Sequence, residues 1–281
     1  MTVSKPEPAR LSQDDIQITA FEAAHLDGAL RLSAETGWPH RTEDWQLTLS
    51  VSKGVVALLD GAVVGTALCS TFGDVATMNM IIVDARMRGR GLGRALMDQV
   101  IGLGGARELR LIATADGLPL YEKLGFVAYG EVHQQQGIAL NATPELPVHS
   151  GTAQDIAALA AADLQASGLS RAGLLANIAA QGDVLLCENG FALLRDFGRG
   201  RVLGPVVAQD VASAAALMTE AARRCAGHFL RVDLPADAGM SEKATRLGLV
   251  AAGGGIAMKR AARTRTPSDY KTFALVSQAL G

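Results

Sequence analysis

The residues best suited to chemistry lie in one short run, Arg88-Gly89-Arg90-Gly91-Leu92-Gly93-Arg94. Alternating glycines let a backbone approach an anion closely, and successive N–H groups can turn inward on it. A helix that begins at the end of such a loop adds the positive end of its dipole. Arg88, Arg90 and Arg94 bring cationic side chains to the same place. The combination suits a pyrophosphate. A Walker A loop would end in Gly-Lys-Ser/Thr, which is missing. A dinucleotide fingerprint needs glycines at its first, third and sixth positions, and counting from Gly89 puts Arg94 sixth. What remains is the spacing Arg-x-x-Gly-x-Gly, met by Arg88, Gly91 and Gly93, beside the plainer reading of a glycine-rich turn.

Such a loop needs a strand before it and a helix after it. Residues 78–83 read as the strand, and Ala95-Leu96-Met97-Asp98-Gln99-Val100-Ile101 has helical periodicity. The wider chain repeats one plan in two halves. Ile18-Thr19-Ala20-Phe21-Glu22 opens a strand-then-helix pattern that Val148-His149-Ser150-Gly151-Thr152 opens again. A hairpin over 54–65 with Asp60-Gly61 at its turn is matched over 183–192, with Asn189-Gly190 as the turn. Lys123-Leu124-Gly125-Phe126-Val127-Ala128 is echoed by Arg246-Leu247-Gly248-Leu249-Val250-Ala251. Only the first half has the glycine-rich loop; its counterpart over 201–210 passes from strand to helix without it. The division expected is a flexible segment 1–15, a first domain 16–140, a linker 141–147 interrupted by Pro144 and Pro147, and a second domain 148–281.

Composition narrows the class. With 281 residues and 49% of them hydrophobic, the chain can bury one large core or two small ones, which excludes a mainly disordered protein. A net charge of −2 offers no general attraction to nucleic acid or anionic membrane. Cys69, Cys187 and Cys225 are far apart and form no CxxC pair, so neither a zinc site nor a disulfide framework is expected. No apolar run approaches the roughly 20 residues of a membrane span. Residues 1–15 lack the apolar core of a signal peptide. A cytoplasmic protein acting on small molecules is the expectation.

The loop and a downstream segment together resemble the GCN5-related N-acetyltransferase (GNAT) superfamily. The segment is Leu118-Pro119-Leu120-Tyr121-Glu122-Lys123-Leu124-Gly125-Phe126, similar to the family's tyrosine followed by Leu-Gly-Phe. The resemblance covers about residues 16–137, and the second half resembles the degenerate GNAT-like domains of tandem proteins, down to Tyr270-Lys271-Thr272-Phe273-Ala274-Leu275. It implies an α+β fold: two GNAT-like domains, each a twisted, mostly antiparallel sheet flanked by helices. It also implies acetyl-CoA as acyl donor. Gly89, Arg90, Gly91, Leu92, Gly93 and Arg94, with Arg88, would hold the pyrophosphate. Ile81, Ile82 and Val83 match the bulged strand whose main chain pairs with the pantetheine arm. Tyr121 matches the general acid for the leaving thiolate, and the second half has Ala244 in its place. Thr114 stands where many members carry an asparagine that bonds the cofactor arm.

The general base is not marked. Strand 78–83 offers Asn79 but no carboxylate; Asp74, His40 and His133 are candidates by type, and deprotonation through water is preferred. Trp38, His40 and Trp45 fall where the family's first helices line the acceptor side and are expected to shape that pocket, core packing being the alternative. The expected activity is direct acetyl transfer from acetyl-CoA to a primary amine, of a small molecule rather than a protein. A homodimer is left open. The alternative is an acetyl-CoA-binding sensor or interaction protein without transferase activity.

Overall fold

The computed structural model describes residues 16–281; the expected segment 1–15 lies outside the described residues. The first half runs β1 (Ile16–Ala20), α1 (Leu26–Glu35), α2 (Thr42–Leu49), β2 (Ser52–Leu59), β3 (Ala62–Phe72), β4 (Val75–Val83), α3 (Leu92–Gly104), β5 (Glu108–Ala113), α4 (Leu118–Lys123) and β6 (Val127–Ile138). The second half repeats that order as β7 (His149–Ser150), α5 (Ile156–Ser167), α6 (Ala172–Gln181), β8 (Asp183–Cys187), β9 (Gly190–Phe197), β10 (Gly200–Ala208), α7 (Val211–Arg224), β11 (Phe229–Pro235), α8 (Ser241–Arg246) and β12 (Val250–Arg260). A last strand, β13 (Lys271–Ala274), has no counterpart in the first half.

Local sequence accounts for the elements. Asp60 and Gly61 both take positive φ, 49° and 79°, as a two-residue hairpin turn of matching twist requires. The second hairpin differs from expectation: Cys187 pairs with Gly190, so its turn residues are Glu188 and Asn189 rather than Asn189 and Gly190. Along β2, Val55 and Ala57 pack with Leu92, Leu96 and Val100 of α3, while Val56 packs with Ala29 and Leu32 of α1. Alternate residues of a strand face opposite sides, so helices cover both faces of the sheet. The second half is built likewise, with α7 in one core and α5 and α6 in another.

The sheet joins the halves in a way that the order of elements does not suggest. Strands follow one another as β1-β2-β3-β4-β5-β12-β6-β11-β10-β9-β8-β7, with β13 beside β10. The pairs β4–β5 and β10–β11 are parallel and the other strand pairs antiparallel, which is the mixed, mostly antiparallel architecture expected. Each half gives its sixth strand to the other: β12 pairs with β5, and β6 pairs with β11. Met258 of β12 is fully buried in the core of the first half. Ala139, next to β6, is buried in that of the second. Burying one such side chain as large as Met258 contributes roughly 1.5–3 kcal/mol. A polar tie adds to the join: the Gly198 N–H donates to Asp44 Oδ2 at 3.0 Å, with Arg195 3.5 Å from Asp44 Oδ1. All three cysteines are buried and free. Among the described residues no helix is long and apolar enough to cross a membrane.

Candidate active site

The site begins where two parallel strands part. β4 pairs with β5 only through Val75, Ala76 and Thr77. Beyond that point the register of β4 against β3 shifts between Thr66 and Leu68, Met80 adopts φ 48°, and the Thr66 hydroxyl holds the Met80 carbonyl at 2.7 Å. This bulge bends β4 away from β5 and leaves the β5 side of Ile81, Ile82 and Val83 without a strand partner. Those residues line a cavity of about 880 Å³.

The glycine-rich loop closes one end of this cavity. Gly89 and Gly91 have φ of 75° and 77°, a conformation open to glycine at little cost. Gly91 is the N-cap of α3, and the first bond to close the helix runs from the Ala95 N–H to the Gly91 carbonyl. The N–H groups of Gly89, Gly91, Leu92, Gly93 and Arg94 find no acceptor among the described residues. Unsatisfied donors at the start of a 13-residue helix make a site for an anion. Arg88 stands beside it, 3.3 Å from Asp116, and Arg94 lies 3.7 Å from Asp98.

At the other end the cavity meets a second one, of about 310 Å³. Trp38, Ile81, Thr114 and Tyr121 line both. Tyr121 is buried on α4, with its ring 6.2 Å from that of Phe126 in an edge arrangement. Its hydroxyl makes no hydrogen bond among the described residues. Burial pushes its pKa up to about 12, so the phenol carries its proton throughout the neutral range. Thr114 accepts the Gly117 N–H at 3.3 Å and so starts α4.

Both halves build the smaller cavity. The first contributes His40, Asn79 and Gln134; the second contributes Phe197, Arg231 and Gln278. Loss of solvation lowers the pKa of His40 to about 4. Its ring sits between Trp38 and Phe197, with centroids 5.8 and 5.4 Å away, and its Nδ1 has no partner among the described residues. Asn79 donates its amide to Ser70 Oγ at 2.9 Å and to Thr77, leaving the buried Oδ1 unpaired. Arg231 is held against Asp233 at 2.9 and 3.0 Å and lies 5.1 Å over the Phe197 ring. Gln278 donates to Asp233 at 2.9 Å and to Gln134 at 3.2 Å. Among the described residues no carboxylate lines this cavity.

Comparison with known proteins agrees with this geometry. Models of the acetyltransferase (GNAT) domain match residues 51–128 and residues 159–274. The uncharacterized N-acetyltransferase YitH of Bacillus subtilis (strain 168) is 30% identical over 237 residues, covering 79% of this chain and 83% of that protein. The chain belongs to the GNAT superfamily. It is an acyltransferase with two GNAT copies in tandem. In fold it is similar to a putative acetyltransferase from Pyrococcus horikoshii, at TM-score 0.82 and 18% identity over 99% of this chain and 100% of that one. A GNAT protein from Sphaerobacter thermophilus aligns at TM-score 0.64 and 17% identity, covering 91% of this chain and 98% of the other.

Within this GNAT chain, most residues singled out in the sequence come together. Ile81, Ile82, Val83, Arg88, Gly89, Gly91, Leu92, Gly93, Arg94, Thr114 and Tyr121 line the larger cavity, and Arg90 belongs to the same loop. Trp38 and His40 line the smaller one. Trp45 lines neither of these two cavities. It is fully buried in the core, stacked on Phe21 at 5.8 Å with its indole N–H on Ser33 Oγ at 3.0 Å. Two candidate bases also lie elsewhere. Asp74 is exposed and paired with Arg263 at 3.1 Å, and His133 lies 3.5 Å from Glu131; neither lines either of these cavities. Phe197, Arg231 and Gln278 carried no local signal in the sequence, since their place depends on how the halves join.

Proposed function

We propose that the first copy transfers an acetyl group from acetyl-CoA directly to the primary amine of a small molecule. The observation that carries this reading is the meeting of two cavities at Tyr121, one ending in unbonded loop N–H groups and the other lined by both halves. The larger cavity fits the cofactor because its loop has free donors, left-handed glycines and arginines, and because one edge of β4 is unpaired. Acetyl-CoA would supply an activated thioester there. The Gly89 to Arg94 loop would hold the pyrophosphate, and the main chain of Ile81, Ile82 and Val83 would align the arm and polarise the acetyl carbonyl. Tyr121, protonated at neutral pH, would give its proton to the departing thiolate.

The smaller cavity, of about 310 Å³, suits a small acceptor. Of its lining groups, His40 is held neutral above about pH 4 and Tyr121 keeps its proton to about pH 12, so neither is a base poised near neutrality. The amine therefore gives up its proton through water, and the nucleophile is the neutral amine. The unpaired Asn79 Oδ1 is an acceptor beside it. No cysteine lines either cavity, which supports direct transfer over a covalent enzyme intermediate.

The test is thiol release from acetyl-CoA with amino acids, amino sugars and polyamines, comparing the native chain with Tyr121→Phe. Turnover with at least one amine and a kcat lower by about 10²-fold in the variant is expected. Tight acetyl-CoA binding with no turnover on any amine, or a variant as fast as the native chain, would count against it.

A further inference from the structure

β13 lies where the first copy has an open groove. β10 pairs with β11 through Arg201, Val202 and Leu203 and then parts from it, as β4 parts from β5. In the first copy the last three residues of the fourth strand, Ile81, Ile82 and Val83, face a cavity. In the second, the equivalent Val206, Val207 and Ala208 pair with Ala274, Thr272 and Lys271 of β13. The next residue, Leu275, donates its N–H to the Asp233 carbonyl on β11 at 2.9 Å, so the segment bridges both arms of the fork. Gly204 makes room for it: a Cβ there would collide with the Leu275 carbonyl. Phe273 and Ala274 are buried in the second copy's core, so the strand is packed in place.

The helix end has changed as well. α3 begins with unbonded N–H groups, whereas α7 is capped by Asp210. That carboxylate accepts the Ser213 N–H at 2.7 Å and the Ser213 hydroxyl at 3.0 Å. These bonds, the backbone one first, hold its pKa below the usual carboxylate range, so it stays charged. An incoming phosphate would meet a negative charge and a donor already in use. What is left beside β13 is a cavity of about 470 Å³ with Gln209 and Asp210, not glycines, at the loop.

We propose that β13 occupies, in the second copy, the groove that the first copy keeps for the pantetheine arm, so that the chain binds one acetyl-CoA and binds it in the first copy alone. The proposal rests on the acetyl-CoA reading of the first copy. The filled groove has a second consequence. The chain leaving β13 delivers Ser277, Gln278 and Ala279 to the acceptor cavity. Arg171 fixes this segment by donating to the Leu280 carbonyl at 2.7 Å while paired with the buried Asp163 at 2.8 Å. The second copy has exchanged a cofactor site for a wall of the first copy's acceptor site.

Calorimetric titration of acetyl-CoA into the full chain tests this. One equivalent is expected for the native chain and for Asp210→Gly, and none for Arg88→Glu/Gly91→Val. Two equivalents in the native chain, or one that survives Arg88→Glu/Gly91→Val, would place cofactor in the second copy and overturn the proposal. A second equivalent gained by Asp210→Gly would make charge, and not the strand, the barrier, and would overturn it too. No binding by the folded native chain would remove the acetyl-CoA reading and the proposal with it.

Discussion

Tyr121 packs its ring over Gly117, one turn earlier in the chain. A Cβ on Gly117 would stand 2.7 Å from the ring and 3.2 Å from the hydroxyl oxygen. The missing side chain thus helps set where the phenol lies between the two cavities. Gly117→Ala should displace the ring without touching the glycine-rich loop. A kcat lower by roughly 10–10²-fold with unchanged acetyl-CoA affinity is expected, since small misplacements of a reacting group are costly. Wild-type kcat in this variant would mean that the ring position is not set here.

On the proposed reading, neither His40 nor Tyr121 of the smaller cavity is a base near neutrality, which fixes the shape of the pH profile. His40 ionises only near pH 4, and Tyr121 stays protonated to about pH 12. The turnover rate should rise with pH toward the pKa of the acceptor amine and show no inflection between pH 6 and 7. Amines of lower pKa should reach their plateau earlier. A profile independent of the amine, with a midpoint near 6.5, would point to an enzyme base instead.

His40 also links pH to stability. Its folded pKa, about 4, lies below the ordinary value of 6.5, because burial penalises the charged ring. The unfolded chain therefore binds a proton between these values when the native chain does not. The stability contributed by the neutral ring is present above pH 6.5 and lost as pH falls toward 4, up to about 3 kcal/mol. In denaturant titrations, His40→Gln should lose less stability than the native chain over that window.

Gln278 is, with Ser277, one of two polar residues that the segment 275–281 brings to the smaller cavity, the acceptor site on the proposed reading. Gln278→Ala removes its bonds to Asp233 and Gln134 but leaves the loop and Tyr121 intact. For whichever amine turns over, KM should rise about 5–10-fold, the effect of roughly 1 kcal/mol, with acetyl-CoA affinity unchanged. An unchanged acceptor KM would exclude Gln278 from acceptor binding.

The strand exchange predicts that neither half is self-sufficient. Residues 1–147 expressed alone would leave β5 without β12, exposing the edge from Leu109 to Ala113 and removing Met258 from the core. Such an edge invites aggregation. Coexpression with residues 148–281 should recover soluble material as a complex on gel filtration. A monomeric, cooperatively folded fragment would show that the exchange is dispensable.

The loop and Tyr121 were legible in the sequence because their signals are local. Left-handed glycines, a helix start and a tyrosine one helix later need only spacing, and the structure places them along one cavity. The repeat was legible for the same reason, as paired motifs in the same order. For Trp45 the sequence left pocket and core both open, because a tryptophan near a pocket and a tryptophan under it have the same neighbours in sequence. Its burial, stacked on Phe21, is a tertiary contact between residues 24 positions apart.

The sequence by itself determined the family, the two copies, the glycine-rich loop and the copy that holds it. The tertiary structure decided which strand closes which half, what fills the second groove and which distant residues wall the acceptor cavity. Backbone conformation and hydrophobic period are properties of a few adjacent residues, so they can be read along the chain. Strand edges are different: hydrogen-bonding capacity along a backbone edge does not name its partner, and β5 pairs with β12 while β6 pairs with β11, which sets Met258 in one core and Ala139 in the other. That choice carries Phe197, Arg231 and Gln278 to the side of His40, where no spacing in the sequence could have put them.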